Sequence, residues 1–562
     1  MITIKIQKAN KCQDEYSMFL TFPYNADIID LIHALPTRYW NKDEKTWEVP
    51  LKKLNYLVEK LQRFGEIEIK ADNMDWAKEK EFVVPSNFQY KTQPYQHQID
   101  GFNYGFSHDK WLLADEQGLG KTKEVIDIAV AKKLANGYKH CLILCGVNGL
   151  KWNWYNEVLT HSNEQPYILG QKVKKDKLTV GGNADKMADI QAIGRGELAD
   201  KYFIITNVET LRNEGIVNEL KKLCDKKIIQ MIAFDEFHRC KDSQSLQGKG
   251  ILKLTAETLI AMTGTPVMNN PLDLFVVLKW LGYEEHTFYA FKNYYCEMGG
   301  YGNYQIIGYK HLDQIQNQLN DMMLRRLKKD VLDLPEKIMI DEYVEMSARQ
   351  AQIYKEVSMD IQANIDQIKS SSNPLAEMIR LRQATGYTGI LSSMIKESAK
   401  LDRMEELVDD AIQNGKQVVI FSNWTQITDE AYRRIAKNYK IGQITGQTKD
   451  DERQNLVKAF QNGKLNVMIG TIGAMGTGIT LTAGTVEIFL DHPWTQAAYD
   501  QSVDRCHRIG QKDDIMIYNL LTRGTIDERI WELVKKKGRL ANALVDNAET
   551  MDKGRLVDFL LS

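Results

Sequence analysis

Hydrophobic positions along the chain follow two rhythms. Up to residue 70, polar and apolar residues mostly alternate. MITIKIQKA and SMFLTFPYN predict strands, RYWNKDEKTWEVPL a hairpin and GEIEIKA a further strand. ADIIDLIHAL predicts a short helix capped by Asn25 or Asp27, and LKKLNYLVEKLQRFG a second helix ending at Gly65. From residue 87 the pattern changes. KWLLADE, KHCLILCGV, KYFIITN, IIQMIAFDE and LIAMTGT are short and almost continuously apolar, as parallel strands buried on both faces must be. Segments between them, such as KTKEVIDIAVAKKLANG ending at Gly137, predict helices. Residues 273–410 read as mostly helical, after which KQVVIFSN, KLNVMIGT, VEIFLDH and DIMIYNLL restart the strand rhythm.

The pattern therefore predicts an α/β protein with two lobes, each a parallel sheet flanked by helices, and helical insertions between them. A small α+β unit precedes them. The expected boundaries are 1–70 for that unit, 71–86 for a charged linker and 87–290 for the first lobe. A helical region at 291–410, the second lobe at 411–545 and a C-terminal helix at 546–562 complete the chain.

Composition narrows the class. The 562 residues are 43% hydrophobic and 26% charged with 11 prolines, a folded rather than disordered profile. No apolar run is long enough to span a bilayer and the first residues lack a secretory pattern, so a cytoplasmic protein without a membrane partner is expected. Net charge is −2, so a nucleic-acid partner would need positive charge concentrated in a groove. The 7 cysteines are scattered without CxxC spacing, which argues against zinc or a disulfide framework. No low-complexity tract or short repeat is evident.

The chemistry centres on ADEQGLGKT, placed between a predicted strand and a predicted helix. Gly118 and Gly120 let the backbone turn its N–H groups towards phosphate, and Leu119 lies between them. Lys121 can reach β- and γ-phosphates, and the Thr122 hydroxyl can ligate magnesium. The strict phosphate-loop pattern wants glycine where Asp115 stands. Asp235 and Glu236 end the strand IIQMIAFDE. Asp235 can hold magnesium, and Glu236 can orient and deprotonate the attacking water. His238 is expected to sense the γ-phosphate, and Thr263 and Thr265 to report nucleotide state to the acidic cluster.

The order of these blocks resembles the superfamily-two helicases, and within them the Swi/Snf-type ATPases. LADEQGLGKT resembles that family's LADEMGLGKT, FDEFHRCK its DEAHRIK, and MTGTPVMNNPLDLF its LTGTPIQNNLEELW. QPYQHQIDGFNYG is similar to the adenine-reading segment and LRRLKKDVLDLPEK to the brace between lobes. IFSNWTQ, ITGQTKDDERQ, IGTIGAMGTGITLT and QSVDRCHRIGQ follow in order. CGVNGLKWNWYNE departs in lacking the family's proline, and Met475 stands where glycine is usual. The resemblance implies RecA-like lobes with ATP and Mg2+ between them. It assigns Gln96 to adenine, Gly478 to the nucleotide cleft, and Arg505 and Arg508 to arginine fingers. It further implies sequence-independent contacts to duplex or forked DNA from Lys151, Trp154, Thr210, Asn270, Arg326, Trp424 and Thr480.

HALPTRYWNKDEKTWEVPLKKLNYLVEKL is similar to the HepA-related (HARP) domain of annealing helicases. There Tyr39, Trp40 and Trp47 with Arg38 and Lys45 would form a stacking and phosphate-binding platform. The expected function is a duplex-DNA translocase working as a monomer in replication, recombination or repair, with proteins of those processes as partners. A strand-separating DNA or RNA helicase is the alternative, and a nucleic-acid clamp without turnover the alternative of another class.

Overall fold

The computed structural model describes residues 2–12, 16–33, 35, 38–51, 54–71, 83–146, 150–174, 177–264, 271–299, 302, 305–364, 375–476 and 478–542. Most of the expected linker and all of the expected C-terminal helix at 546–562 lie outside the described residues.

The alternating N-terminal segments build one five-stranded sheet. Ile2–Lys8 sits between the antiparallel Tyr16–Thr21 and the parallel Ile67–Ala71, and the Tyr39–Asn41/Thr46–Pro50 hairpin extends the other edge. Ile2, Ile4 and Ile6 face one way and bury with Ile28, Ile32, Leu57 and Leu61 of the two helices. Asn25 rather than Asp27 caps the first helix: its Oδ1 accepts from the N–H groups of Asp27 (3.0 Å) and Ile28 (3.2 Å).

The first lobe is a seven-stranded sheet. Its strands run in the order Met323–Leu324, Lys110–Leu113, Thr258–Met262, Ile229–Asp235, His140–Cys145, Phe203–Asn207 and Pro166–Ile168, with every neighbouring pair parallel. Both faces are buried, which explains the continuous apolar runs. Cys141, Ile143 and Cys145 pack into one cluster, while Leu142 and Leu144 pack into the other. All seven cysteines are free thiols.

The second sheet has six parallel strands, ordered Lys337–Val344, Ile515–Thr522, Gly484–Phe489, Gln417–Ser422, Val467–Thr471 and Ile441–Ile444. The region expected to be mostly helical between the lobes carries helices such as Leu312–Met322, Ala348–Ala363 and Ala399–Gln413, and strands besides. It supplies an edge strand to each sheet, Met323–Leu324 and Lys337–Val344, besides an antiparallel hairpin, Cys296–Gly299 with Gln305–Tyr309. Edge strands keep one side in water, so Lys337–Val344 carries charges that mask its period. Among the described residues no helix is long and apolar enough to cross a membrane.

Candidate functional site

The chemistry-bearing residues lie at the C-terminal ends of strands and on the loops that follow, where open α/β sheets place their ligands. Strand Lys110–Leu113 leads through residues 114–120 into helix Lys121–Asn136. Gly118 and Gly120 both have φ of +83°, a conformation that other residues rarely adopt. Gly120 is the residue just before the helix, so the loop delivers its N–H groups into the positive end of the helix dipole. Lys121 folds its Nζ back onto the carbonyls of Asp115 (2.7 Å) and Glu116 (3.1 Å), and Thr122 is half-buried beside it.

Asp115, the departure from the strict loop pattern, is an anchor. It is wholly buried and accepts from Arg326 Nε at 3.1 Å (Oδ1) and 3.0 Å (Oδ2) and from the Arg326 N–H at 2.9 Å. Arg326 also binds Glu124 Oε2 at 2.7 Å and the His97 carbonyl. The expected phosphate contact from Arg326 is thus corrected. Its guanidinium is committed to two buried carboxylates, and its segment runs along the phosphate loop through Ala114 N–H to Leu324 O (2.8 Å) and Glu116 N–H to Arg326 O (3.0 Å).

Gln96 does not reach the loop. It is exposed and its Nε2 donates to Asp100 Oδ1 at 3.0 Å. Gln98, two residues along the same helix, does reach it: Nε2 donates to the Leu119 carbonyl at 3.3 Å, beside His97 Nε2 at 2.9 Å. The Leu119 side chain itself is buried, and its carbonyl is what faces these groups.

Asp235 ends its strand and Glu236 takes a left-handed φ of +56°. The indole N–H of Trp154 donates to Asp235 Oδ2 at 2.9 Å. Burial, aided by the neighbouring Glu236, pushes the Asp235 carboxyl up to about 6. Burial also pushes on Glu236, but the His238 ring, Lys121 and Arg505 together outweigh it and hold its carboxyl below the ordinary value. His238 Nδ1 lies 3.2 Å from Glu236 Oε2 and 3.3 Å from Thr263 Oγ1, so Thr263 meets the acidic pair through the histidine. Thr265 lies outside the described residues, as does Asn270.

The second lobe closes over this cluster. Arg505 donates through Nε to Gln501 O (2.8 Å), through Nη1 to Ile479 O (3.3 Å) and through Nη2 to Gln117 Oε1 (2.8 Å) on the first lobe. Arg508 is packed against the phosphate loop so closely that a Cβ on Gly118 would fall 2.8 Å from Arg508 Cβ. Its Nε is buried with no hydrogen-bond partner among the described residues, and burial together with Arg505 lowers its guanidinium to about 10. Gly478, at φ +72°, faces Leu150 of the first lobe, where a Cβ would come within 3.1 Å of Leu150 Cδ2.

The residues expected to grip nucleic acid divide by exposure. Trp154 is 0% exposed and serves Asp235, so its expected surface role is corrected. Thr210 is corrected too: it is buried, its hydroxyl bound by Lys186 Nζ at 2.6 Å. Lys151 is also buried. Trp424 and Thr480 are half-exposed, with the Arg382 guanidinium 4.8 Å over the Trp424 ring. Two lysines in basic stretches are spent within the fold: Lys172 pairs with Asp185 at 2.5 Å and Lys535 with Asp341 at 2.6 Å.

Sequence reasoning missed Gln98, Gln117, Lys186 and Lys328. The signal for Gln117 is on view in the motif: a polar residue where LADEMGLGKT has methionine.

Residues 51–390 match the SNF2-related domain, residues 399–510 the helicase conserved C-terminal domain, and residues 19–71 the HepA-related protein (HARP) domain. The chain is similar to an uncharacterized ATP-dependent helicase of Mycoplasma pneumoniae, 28% identical over 443 residues that cover 77% of this chain and 40% of the relative. It is similar also to YwqA of Bacillus subtilis, whose name reads ATP-dependent helicase/translocase, 24% identical over 498 residues, 83% of this chain and 50% of the relative. A solved structure, the Sulfolobus solfataricus SWI2/SNF2 ATPase core in complex with dsDNA, is 23% identical and aligns with 82% of this chain and 96% of its own at a TM-score of 0.37. The chain spans half or less of the length of these two curated relatives. Since the SNF2-related match alone takes in more than half of the 562 residues, the chain belongs to the SNF2-related family of helicase-like ATPases.

Proposed function

We propose that this chain hydrolyses ATP between its two lobes and uses the cycle to travel along double-stranded DNA. The observation that carries the reading is the reach of Arg505 from the second lobe to Gln117 in the phosphate loop, beside Glu236.

The residues fit a magnesium-bound triphosphate. Arg508 Nε is a buried polar atom with no hydrogen-bond partner among the described residues, and two adjacent acids end a buried strand. Lys121, Arg505 and Arg508 would hold the phosphates, and Thr122 and Asp235 the Mg2+, which when bound offsets charge developing on the transferred phosphoryl group. Lys121 would exchange two neutral carbonyls for charged oxygens, a stronger partner for an ammonium. Glu236, held ionised by its cationic neighbours, takes the proton of the attacking water. Gln98 is the better candidate than Gln96 for the adenine end, because it borders the loop.

Loss of the γ-phosphate removes what Arg505 and Lys121 would share, and the lobes then relax. Alternating grips on backbone phosphate, with Lys151, Asn270, Trp424 and Thr480 among the candidates, would move the protein without reading bases. A single chain carries both lobes, which supports action as a monomer. The HARP match, and a hairpin exposing Tyr39 (38%) and Trp40 (42%) with Lys11 Nζ 5.9 Å from the Tyr39 ring, support work at forks or on annealing strands, in replication, recombination or repair. Trp47 is half-buried and lies against Trp40 (5.1 Å) and His33 (5.3 Å), joining the exposed rings to the packing of that unit. Proteins of those processes are the expected partners.

The test is ATP hydrolysis by wild type and Lys121→Ala with no nucleic acid, single-stranded DNA, duplex DNA, forked DNA and RNA. Stimulation by duplex or forked DNA, lost in the variant, is expected. Stimulation by single strands or RNA alone would instead indicate a strand-separating helicase, and no turnover on any of them a clamp.

A further inference from the structure

Gln117 touches two groups that the proposed ATPase chemistry needs. Its Nε2 donates to Glu236 Oε1 at 3.4 Å, and its Oε1 accepts from Arg505 Nη2 at 2.8 Å. The side chain is buried at 8% exposure. Gly264 makes room for it: a Cβ there would fall 2.5 Å from Gln117 Cγ and 3.0 Å from its Nε2. The other two nitrogens of Arg505 are tied inside the second lobe, so Nη2 is the one that crosses to the first.

The amide is suited to both neighbours at once. It presents a donor to a carboxylate and an acceptor to a guanidinium. A group with only one of these functions would leave a buried charge unserved. With no bridge, Glu236 and Arg505 could pair directly, since opposite buried charges attract strongly. Such a pair would take the glutamate from its water and the arginine from its phosphate. The methionine in the family's LADEMGLGKT cannot bridge in this way, so the arrangement belongs to this chain's own sequence.

We propose that Gln117 is a positioning residue that holds Arg505 in register with Glu236 across the cleft and keeps the two charges from neutralising each other. Lobe closure and readiness of the water-activating glutamate are then one event. The inference rests on the ATPase reading given above.

The experiment compares duplex-stimulated hydrolysis and binding of a fluorescent ATP analogue for wild type, Gln117→Met, Gln117→Glu, Arg505→Ala and the Gln117→Met/Arg505→Ala pair. Methionine is close to glutamine in size and stands at this place in the family motif, so Gln117→Met is expected to fold. Its kcat is expected to fall about tenfold, equivalent to about 1.4 kcal/mol of barrier, with nucleotide affinity unchanged. Gln117→Glu, which pairs with Arg505 and repels Glu236, should lose more. On the Arg505→Ala background the Gln117→Met change should cost nothing further, because the residue acts through that arginine. A Gln117→Met protein with wild-type kcat, or losses that multiply in the double variant, would overturn the inference alone. A wild type that binds nucleotide but never hydrolyses it would overturn the ATPase reading and this inference with it.

Discussion

Lys328 and Asp504 form a buried ion pair that ties the strap between the lobes to the segment bearing the two arginines. Both side chains are 5% exposed, and Lys328 Nζ also donates to the His507 carbonyl at 2.8 Å. Its own N–H donates to Glu116 Oε2 in the phosphate loop at 2.7 Å. One residue is therefore fastened to the glycine-rich loop of the first lobe and to the turn that presents Arg505 and Arg508 from the second.

Removing one partner of such a pair strands the other charge. Lys328→Ala is expected to lower unfolding stability by about 3–5 kcal/mol, while Lys328→Met with Asp504→Leu recovers most of it, since an apolar pair of similar size avoids the buried charge. Denaturant unfolding of wild type and the two variants checks this. Wild-type stability in Lys328→Ala would show that the pair bears no load.

Arg326 offers a contrast between structural and nucleic-acid roles. Deleting one phosphate-binding cation from a DNA-binding protein lowers the slope of log affinity against log salt by about 1. Because Arg326 is spent on Asp115 and Glu124, Arg326→Met should leave that slope unchanged while lowering the melting temperature. A reduced slope at unchanged stability would return Arg326 to the DNA interface.

Trp154 acts, on this account, through Asp235. Trp154→Phe keeps the ring in the core but deletes the N–H that orients the carboxylate. Groups that orient a metal ligand typically contribute about 10–100-fold in affinity, so the Mg2+ concentration for half-maximal hydrolysis should rise by about tenfold, with DNA affinity unaltered. Excess chelator should abolish hydrolysis by wild type, and added Mg2+ should restore it. An unchanged Mg2+ requirement in Trp154→Phe would contradict the assignment.

Acid should weaken the second lobe through His492. Its ring is buried, 3.1 Å from Asn519 Oδ1 and 4.3 Å from the Trp531 ring. Burial first, and Lys400 second, lower the imidazole to about 3, against about 6.5 in an unfolded chain. Protonation then favours the unfolded state. The stability from the neutral ring is complete above about pH 6.5 and is lost as pH falls towards about 3, by up to about 1.4 kcal/mol per pH unit. His492→Gln should flatten the unfolding curve in that window. An equally steep acid limb in the variant would assign it to other groups, of which the Asp527 carboxylate is nearby.

The sequence was informative where local rules decide the outcome. Strands such as His140–Cys145 and Ile229–Asp235 are buried on both faces, so their apolar runs could be read directly. Lys337–Val344 was hidden because an edge strand mixes charged and apolar positions, and Pro166–Ile168 and Ile441–Ile444 are too short to show a period. The residues proposed to face nucleotide sit on turns with their own motifs, and those turns could be read from the chain. Which face an aromatic or a threonine takes is set by tertiary packing. Trp154 and Thr210 therefore looked like nucleic-acid contacts, and Gln96 was singled out while Gln98, two positions along the same helix, was not.

Travel along duplex DNA is read out by displacement of a third strand from a DNA triplex, followed with ATP, without ATP and with Lys121→Ala. ATP-dependent displacement by wild type alone is expected, with the underlying duplex left intact. Hydrolysis of ATP with the third strand still bound, or with the duplex strands separated, would contradict it.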